Sequence, residues 1–171
     1  MTFPDSFRTE RLRAERLQPS HLGDLRRLHR DAAVMARIGG LRNDGQTAEY
    51  LAYNLRHWSQ HGFGLWVLHE IDGGPVIGLA MLRYLALDGV DEVEVGYAIV
   101  PTLWGRGLAT EVATACVSYA RDDLRLPSVI ALTEPGHERS QHVLAKVGMR
   151  FERDVLIEGS PRSLFRRILA N

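Results

Sequence analysis

Asp91 to Tyr119 reads DEVEVGYAIVPTLWGRGLATEVATACVSY, and its parsing into strand, glycine-bearing loop and helix decides the fold. From Glu92 to Val100, β-branched and aromatic residues recur at Val93, Val95, Tyr97 and Ile99, the period-two pattern of a pleated, partly buried strand. Pro101 has no N–H to give a central ladder and ends that strand. Gly105 and Gly107 bracket Arg106, and Leu108, Val112, Ala115, Cys116 and Tyr119 follow at nearly helical spacing. A helix start leaves backbone N–H groups unpaired at the positive end of its macrodipole. Glycines beside such an end let a phosphate approach the backbone closely. The stretch therefore reads as an anion site suited to a pyrophosphate. The alternative is an ordinary β–loop–α connection whose glycines only turn the chain. Thr110 stands where the third glycine of G-x-G-x-x-G belongs, and no Gly-Lys-Ser/Thr is present, so neither the dinucleotide fingerprint nor the P-loop applies.

The segment Glu94-x-Gly96-Tyr97-x-x-x-Pro101-x-x-Trp104-Gly105-Arg106-Gly107-x-Ala109-Thr110-Glu111 resembles the acetyl-CoA-binding core of the GNAT superfamily of N-acetyltransferases. Within it, the branch of ribosomal-protein N-acetyltransferases is the most similar, and Thr9-Glu10-Arg11-Leu12 resembles that branch's opening. The family signature Gln/Arg-x-x-Gly-x-Gly/Ala aligns as Trp104-x-x-Gly107-x-Ala109, with Trp in the first place. The resemblance implies acetyl-CoA as co-substrate and no metal. It assigns to the cofactor Ile99 and Val100, the loop residues Trp104, Gly105, Arg106, Gly107, Leu108, Ala109 and Thr110, and His137 and Ser140. Backbone amides of the loop would hold the pyrophosphate, so Trp104 costs one side-chain contact only.

Direct transfer of an acetyl group to an amine makes three demands: a proton must leave the amine, the thioester carbonyl must be polarised, and the leaving thiolate must be stabilised or protonated. Glu94, alone in an apolar strand, is the candidate base, because burial raises a carboxyl pKa toward a useful value. The structural alternative is an ion pair with an arginine across the sheet. Glu92 has the same side-chain parity and stands in reserve. The family places the polarising N–H beside the pantetheine, here about Ile99 to Pro101. Gly96 suggests a bulge or a close backbone approach. Before the last helix the family carries Asn-x-x-Ser. Ser140 matches and is implied to lie near the CoA sulfur, its alternative being a first-turn helix residue. His137 replaces the Asn, and a neutral imidazole offers one donor and one acceptor in its place.

The 171 residues suit one domain, 1–171, with 21 basic against 21 acidic residues, a balance that argues against nucleic acid as a partner. Arg8, Arg11, Arg13 and Arg16 interleave with Glu10 and Glu15 and read as a solvated strand surface. No apolar run would span a bilayer, and the polar stretch Thr2 to Glu10 is no signal peptide. One cysteine excludes an internal disulfide and fits the cytoplasm.

Along the chain, Thr9 to Leu17 predicts a strand and Ser20 a helix cap ahead of Leu22, Leu25, Leu28 and His29. A second helical piece spans Asp31 to Ile38, a loop Arg42 to Gly45, and a helix Thr47 to His61. Strands are expected at Phe63 to Glu70 and Val76 to Tyr84, with Ala86 to Val90 a loop. After the organising unit come a strand at Ser128 to Thr133, a helix stopped at Gly148, and a C-terminal hairpin. The pattern predicts an α/β (α+β) fold, a mixed, mostly antiparallel sheet of about six to seven strands with helices on both faces, and this is also the family's acyl-CoA N-acyltransferase fold.

The remaining signals are weak. His57 and His61 lack a third metal ligand, Cys116 reads as a buried hydrophobe, and Trp58, Phe63 and Trp66 line either an acceptor pocket or the core. The expected activity is acetyl transfer to a primary amine, either a peptide N-terminus or a small molecule. The alternatives are another donor such as succinyl-CoA, or a CoA-binding module without catalysis. Few acidic residues in the helical cap (Asp31, Asp44, Glu49) disfavour a polycationic aminoglycoside. The resemblance also implies a homodimer, for which the C-terminal strands offer edges.

Overall fold

The computed structural model describes residues 5–169. Of the opening Thr2 to Glu10, residues 1–4 lie outside that range. Along the chain run β1 (Ser6–Arg8), β2 (Leu12–Arg16), α1 (Leu22–His29), α2 (Ala32–Met35), α3 (Asp44–His61), β3 (Leu65–Glu70), β4 (Gly73–Leu87) and β5 (Val90–Ile99). They are followed by α4 (Leu108–Asp122), β6 (Ser128–Thr133), α5 (Glu138–Lys146), β7 (Arg150–Ile157) and β8 (Ser160–Ile168).

Among the described residues the strands form one sheet in the order β1-β2-β3-β4-β5-β6-β8-β7, antiparallel at every pair except β5 with β6. Eight strands replace the expected six to seven, because Ser6–Arg8 folds back on β2 and pairs Phe7 with Ala14. Three residues give too short a pattern to announce a strand; pairing with β2 makes it one. The outer edge at the other end is β7, where Phe151 and Leu156 stand exposed.

The long β4–β5 hairpin is the backbone of the sheet. Its strands pair continuously from Gly78↔Ile99 to Leu87↔Val90. The expected loop at Ala86 to Val90 shrinks to Asp88 and Gly89, whose φ of 51° and 78° make the two-residue turn that matches strand twist. No bulge interrupts β5 at Gly96. That position faces Met81 directly, and an added Cβ would sit 2.5 Å from the Met81 methyl, so the glycine makes room for a side chain.

Helices cover both faces. The buried stripe of α4 (Leu108, Val112, Ala113, Cys116, Val117 and Ala120) packs with Val93, Val95 and Leu82 in the larger core. On the opposite face, Leu25 and Leu28 of α1 and Leu51 of α3 pack on Leu65, Val67, Val76 and Leu79. Trp58, Phe63 and Trp66 belong to the larger core, at 2%, 4% and 0% exposure, and line neither of the two cavities described below.

Two helix starts differ from expectation. Ser20 caps nothing; a 3-10 turn at Pro19–His21 precedes α1, and His21 Nδ1 accepts the Gln18 N–H at 3.0 Å. In α3, Asn43 and Gln46 form a reciprocal capping box at 2.8 and 2.9 Å, which draws the helix back to Asp44 through the predicted loop. Gly148 does end α5. With φ of 76°, it allows Met149 N–H to reach Leu144 O (2.9 Å) and its own N–H to reach Ala145 O (3.0 Å).

Candidate functional site

β5 and β6 meet as parallel neighbours at Glu94 and Ile130, and beyond that pair a cavity of about 210 Å³ opens between them. Val95 to Ile99 form one wall, Ala131 to Thr133 the other, and His137, Ser140 and Val143 close the α5 side. Val100 N–H donates to Ile77 O at 2.9 Å. Alternation along an antiparallel ladder then turns the N–H groups of Tyr97 and Ile99 away from β4, toward the gap. Of the stretch Ile99 to Pro101, only Ile99 can therefore offer a donor there, and Tyr97 joins it.

The loop ahead of α4 is built by Gly105 and Gly107, at φ of 75° and 79°, with Gly107 in the N-cap position. Glu111 N–H is the first to bond back, to Gly107 O at 3.0 Å. The amides of Leu108, Ala109 and Thr110 stand before that first helical bond. Trp104, in place of the usual Gln or Arg, stays exposed but is held: its indole N–H donates to Ile99 O at 2.6 Å, and the Arg139 guanidinium lies 4.4 Å over its ring. The aromatic residue thus braces the loop against the end of β5.

The N-terminal strands tie the other side of this loop. Glu111 Oε1 accepts from Thr9 Oγ1 (2.5 Å) and Arg11 N–H (2.8 Å), and Oε2 from Arg11 Nε (2.7 Å). Arg11 also donates to Arg106 O at 2.7 Å. Burial opposes ionisation of Glu111, yet the Thr9 hydroxyl and the two Arg11 donors together hold its carboxyl below the usual range. Arg11 is accordingly no plain solvated arginine; it fastens the Thr9–Leu12 motif to the glycine loop and α4. Sequence spacing carries no trace of a contact spanning 100 positions.

Of the residues assigned to the cofactor, Ile99, Trp104, Ala109, His137 and Ser140 line the cavity. Val100, Gly105, Arg106, Gly107, Leu108 and Thr110 do not, and Leu108 turns its side chain into the core. His137 stands at the N-cap of α5, where burial and then Arg37 hold its pKa down and favour the neutral ring.

Ser140 Oγ lies 3.0 Å from the Tyr97 hydroxyl, which also donates to Ser140 O at 3.3 Å. Burial pushes the Tyr97 phenol up to about 12 against the opposing Ser140 bond, so it keeps its proton at working pH. Tyr97 is the cavity residue that sequence reasoning passed over. Its place in the strand alternation explained it fully, and only the meeting of β5 with α5 singles it out.

Glu94 is 8% exposed, and burial raises its pKa against the Arg83 guanidinium and, further off, Arg162. Arg83 is its register partner on β4, with Nη2–Oε2 at 3.4 Å, so the cross-sheet pair considered from sequence is real and coexists with a raised pKa. Glu92 is a different case. Arg166 grips both its oxygens at 2.7 and 3.0 Å, which removes it as a reserve base.

Glu94 also lines a second cavity, of about 300 Å³, roofed by α1, α2 and α3. The two cavities share Glu94, Gly96, Tyr97 and Ala98 of β5 and also Val34, Arg37 and Ile38 at the end of α2, Met81 and Leu132, and so join beside the middle of β5.

Other candidates close off. His57 uses both ring nitrogens, toward Phe63 O (2.8 Å) and Tyr84 N–H (3.0 Å), and no metal-binding group occurs among the described residues. Cys116 is buried, its thiol pushed up to about 12. No helix among the described residues is long and apolar enough to cross a membrane.

A family model described as an acetyltransferase (GNAT) domain matches residues 11–150. The uncharacterized protein YkkB of Bacillus subtilis (strain 168) is 28% identical over 140 residues, covering 82% of this chain and 81% of that protein. An acetyltransferase from Agrobacterium tumefaciens str. C58 shares the fold with a TM-score of 0.85 at 23% identity, over 98% of this chain and 95% of that one. A ribosomal alpha-N-protein acetyltransferase, RimL, solved in complex with coenzyme A, does so with a TM-score of 0.74 at 14% identity, over 94% and 96%. With most of its length matched by the family model and its sheet, loop and helices arranged as in these structures, the chain belongs to the GNAT acetyltransferase family.

Proposed function

We propose that this protein moves an acetyl group from acetyl-CoA directly to a primary amine, with both substrates bound at once. The observation that carries this is the joining of the two cavities at Glu94, Gly96, Tyr97 and Ala98, one reaching Trp104 and Ala109 beside the glycine loop and the other lying under the helical cap. A donor in one and an acceptor in the other would come into contact beside β5.

The residues fit an acyl-CoA on that side. A glycine at φ 79° opens α4, and the amides of Leu108, Ala109 and Thr110 precede the first helical bond, a cradle for pyrophosphate oxygens. When bound, acetyl-CoA supplies the activated acyl group; everything else falls to the chain. Glu94 takes the proton from the attacking amine, directly or through water. The N–H groups of Tyr97 and Ile99 face the place where carbonyl charge develops. As the C–S bond breaks, the Tyr97–Ser140 hydroxyl pair returns a proton to the sulfur. The exposed edge of β7 is where a second copy would pair.

Calorimetric titration with acetyl-CoA, succinyl-CoA and free CoA tests the donor site. Micromolar binding of acetyl-CoA, weakened about tenfold or more by Gly107→Val, is the expected result. No binding of any of the three would overturn the reading. For the acid, Tyr97→Phe is expected to lower kcat about 10- to 100-fold with acetyl-CoA affinity unchanged. An unchanged kcat in that variant would hand the proton return to water.

A further inference from the structure

The second cavity has an unusual charge balance for a site that must accept an amine. Arg37, Arg42, Arg83 and Arg162 line it against only Glu94 and Glu134. Arg83 pairs with Glu94, and Arg37 pairs with Glu134 at 3.2 Å. Arg42 and Arg162 have no carboxylate partner among the described residues. Arg162 donates to its neighbour Pro161 O, and its charge reaches Glu94.

Arg42 is held in place without being neutralised. One Nη donates to His29 Nε2 at 3.1 Å, and its guanidinium stacks 4.7 Å over the Tyr50 ring. His29 is 1% exposed and its Nδ1 meets Thr47 Oγ1 at 2.9 Å; burial, then the Arg42 charge, lowers its pKa to about 4, so it stays neutral and serves as an acceptor. Arg42 keeps most of its five donors, in a rigid planar fork. A half-buried guanidinium fixed by a neutral histidine and an aromatic ring, but left without an anion, keeps the free donors that a carboxylate would take. Between it and Glu94 the walls are apolar, from Leu28, Val34, Met35, Leu79 and Met81.

We propose that the acceptor is a small amino-carboxylate with an apolar body, whose carboxylate is received by Arg42, with Arg162 on the β8 side adding to the field. This deepens the transfer reading and rests on it: the amine of such a molecule would point to Glu94. A cavity of about 300 Å³ is at the small-molecule end of ligand sites, which fits one amino acid better than a folded partner. The two uncompensated cations also oppose a polycationic amine.

The test is acetylation, followed by thiol release, of leucine, methionine and phenylalanine, each beside its amide and its decarboxylated amine. A kcat/KM at least about 10- to 100-fold higher for the free carboxylates is expected, the worth of one charge-assisted pair. Arg42→Gln should erase that preference through KM, with a much smaller loss on the amides, and Arg42→Lys should restore part of it. Amides, plain amines or peptide N-termini used as well as the carboxylates would overturn the proposal while leaving acetyl transfer standing. Calorimetry of the same compounds separates the two readings from the other side. Carboxylates that bind through Arg42 but are never acetylated would overturn them as the acceptor while leaving acetyl transfer to another amine standing. If no carboxylate binds or turns over while acetyl-CoA does bind, the receptor is refuted.

Discussion

Glu94→Gln is expected to lower kcat by about two to four orders of magnitude and to leave acetyl-CoA affinity unchanged. The side chain keeps its shape, loses its basicity, and touches the cavity only at the junction on β5. The pH profile carries the more specific signature. A base must be unprotonated, so kcat/KM falls as pH drops through its pKa. Burial raises that pKa, so the acid limb should lie above the usual carboxylate range and vanish in Glu94→Gln. Arg83 favours the charged carboxylate, so its removal should carry the limb to still higher pH. Stopped-time thiol release across pH 5 to 9 (roughly the range in which the fold should hold) measures both. A Glu94→Gln enzyme with an unaltered rate and limb would reduce Glu94 to the structural partner of Arg83.

The largest effect on stability should come from Gly78→Ala. Gly78 lies in β4 opposite Ile99, and a Cβ there would run into the Ala98 carbonyl oxygen and come within 3.1 Å of Ile99 Cδ1. A backbone oxygen in the central hairpin cannot swing aside, so β4 and β5 must separate locally. The expected cost is about 3 kcal/mol, or a fall in Tm of roughly 6–12 °C for a chain of this size. Gly96→Ala is the control. Its Cβ meets the Met81 methyl, the far end of a flexible side chain, and the cost should be about 1 kcal/mol or less. Equal losses in thermal melts of the two variants would refute the distinction. The displaced segment carries the Ile99 carbonyl that Trp104 grips, so Gly78→Ala should also loosen the glycine loop.

The strand, loop and helix from Asp91 to Tyr119 were legible because each is local. Alternation along β5, the two positive-φ glycines and the apolar stripe of α4 are written in neighbouring residues, and the family signature lies within them. The hydrophobic pattern likewise determined the mixed sheet with helices on both faces. Glu94 was conspicuous as a carboxylate in an apolar run, because burying a charge without cause is expensive.

Tertiary structure decided what depends on partners distant in sequence. The β1 strand exists only because β2 pairs with it, and α3 starts early because Asn43 and Gln46 cap each other. Arg11 becomes a clamp on the glycine loop only once the β1–β2 turn lies beside α4. Glu92 and Glu94 share a strand face and look equivalent in sequence. Arg166 of β8 locks the first, whereas the second lies where two cavities meet. Tyr97 gains Ser140 as a partner 43 positions away, and Arg42 becomes a fixed, unneutralised cation through His29 and Tyr50. Local sequence determined the scaffold because strand and helix patterns repeat within a few residues. The chemistry depends on which side chains face one another across the sheet, and only the packed chain settles that.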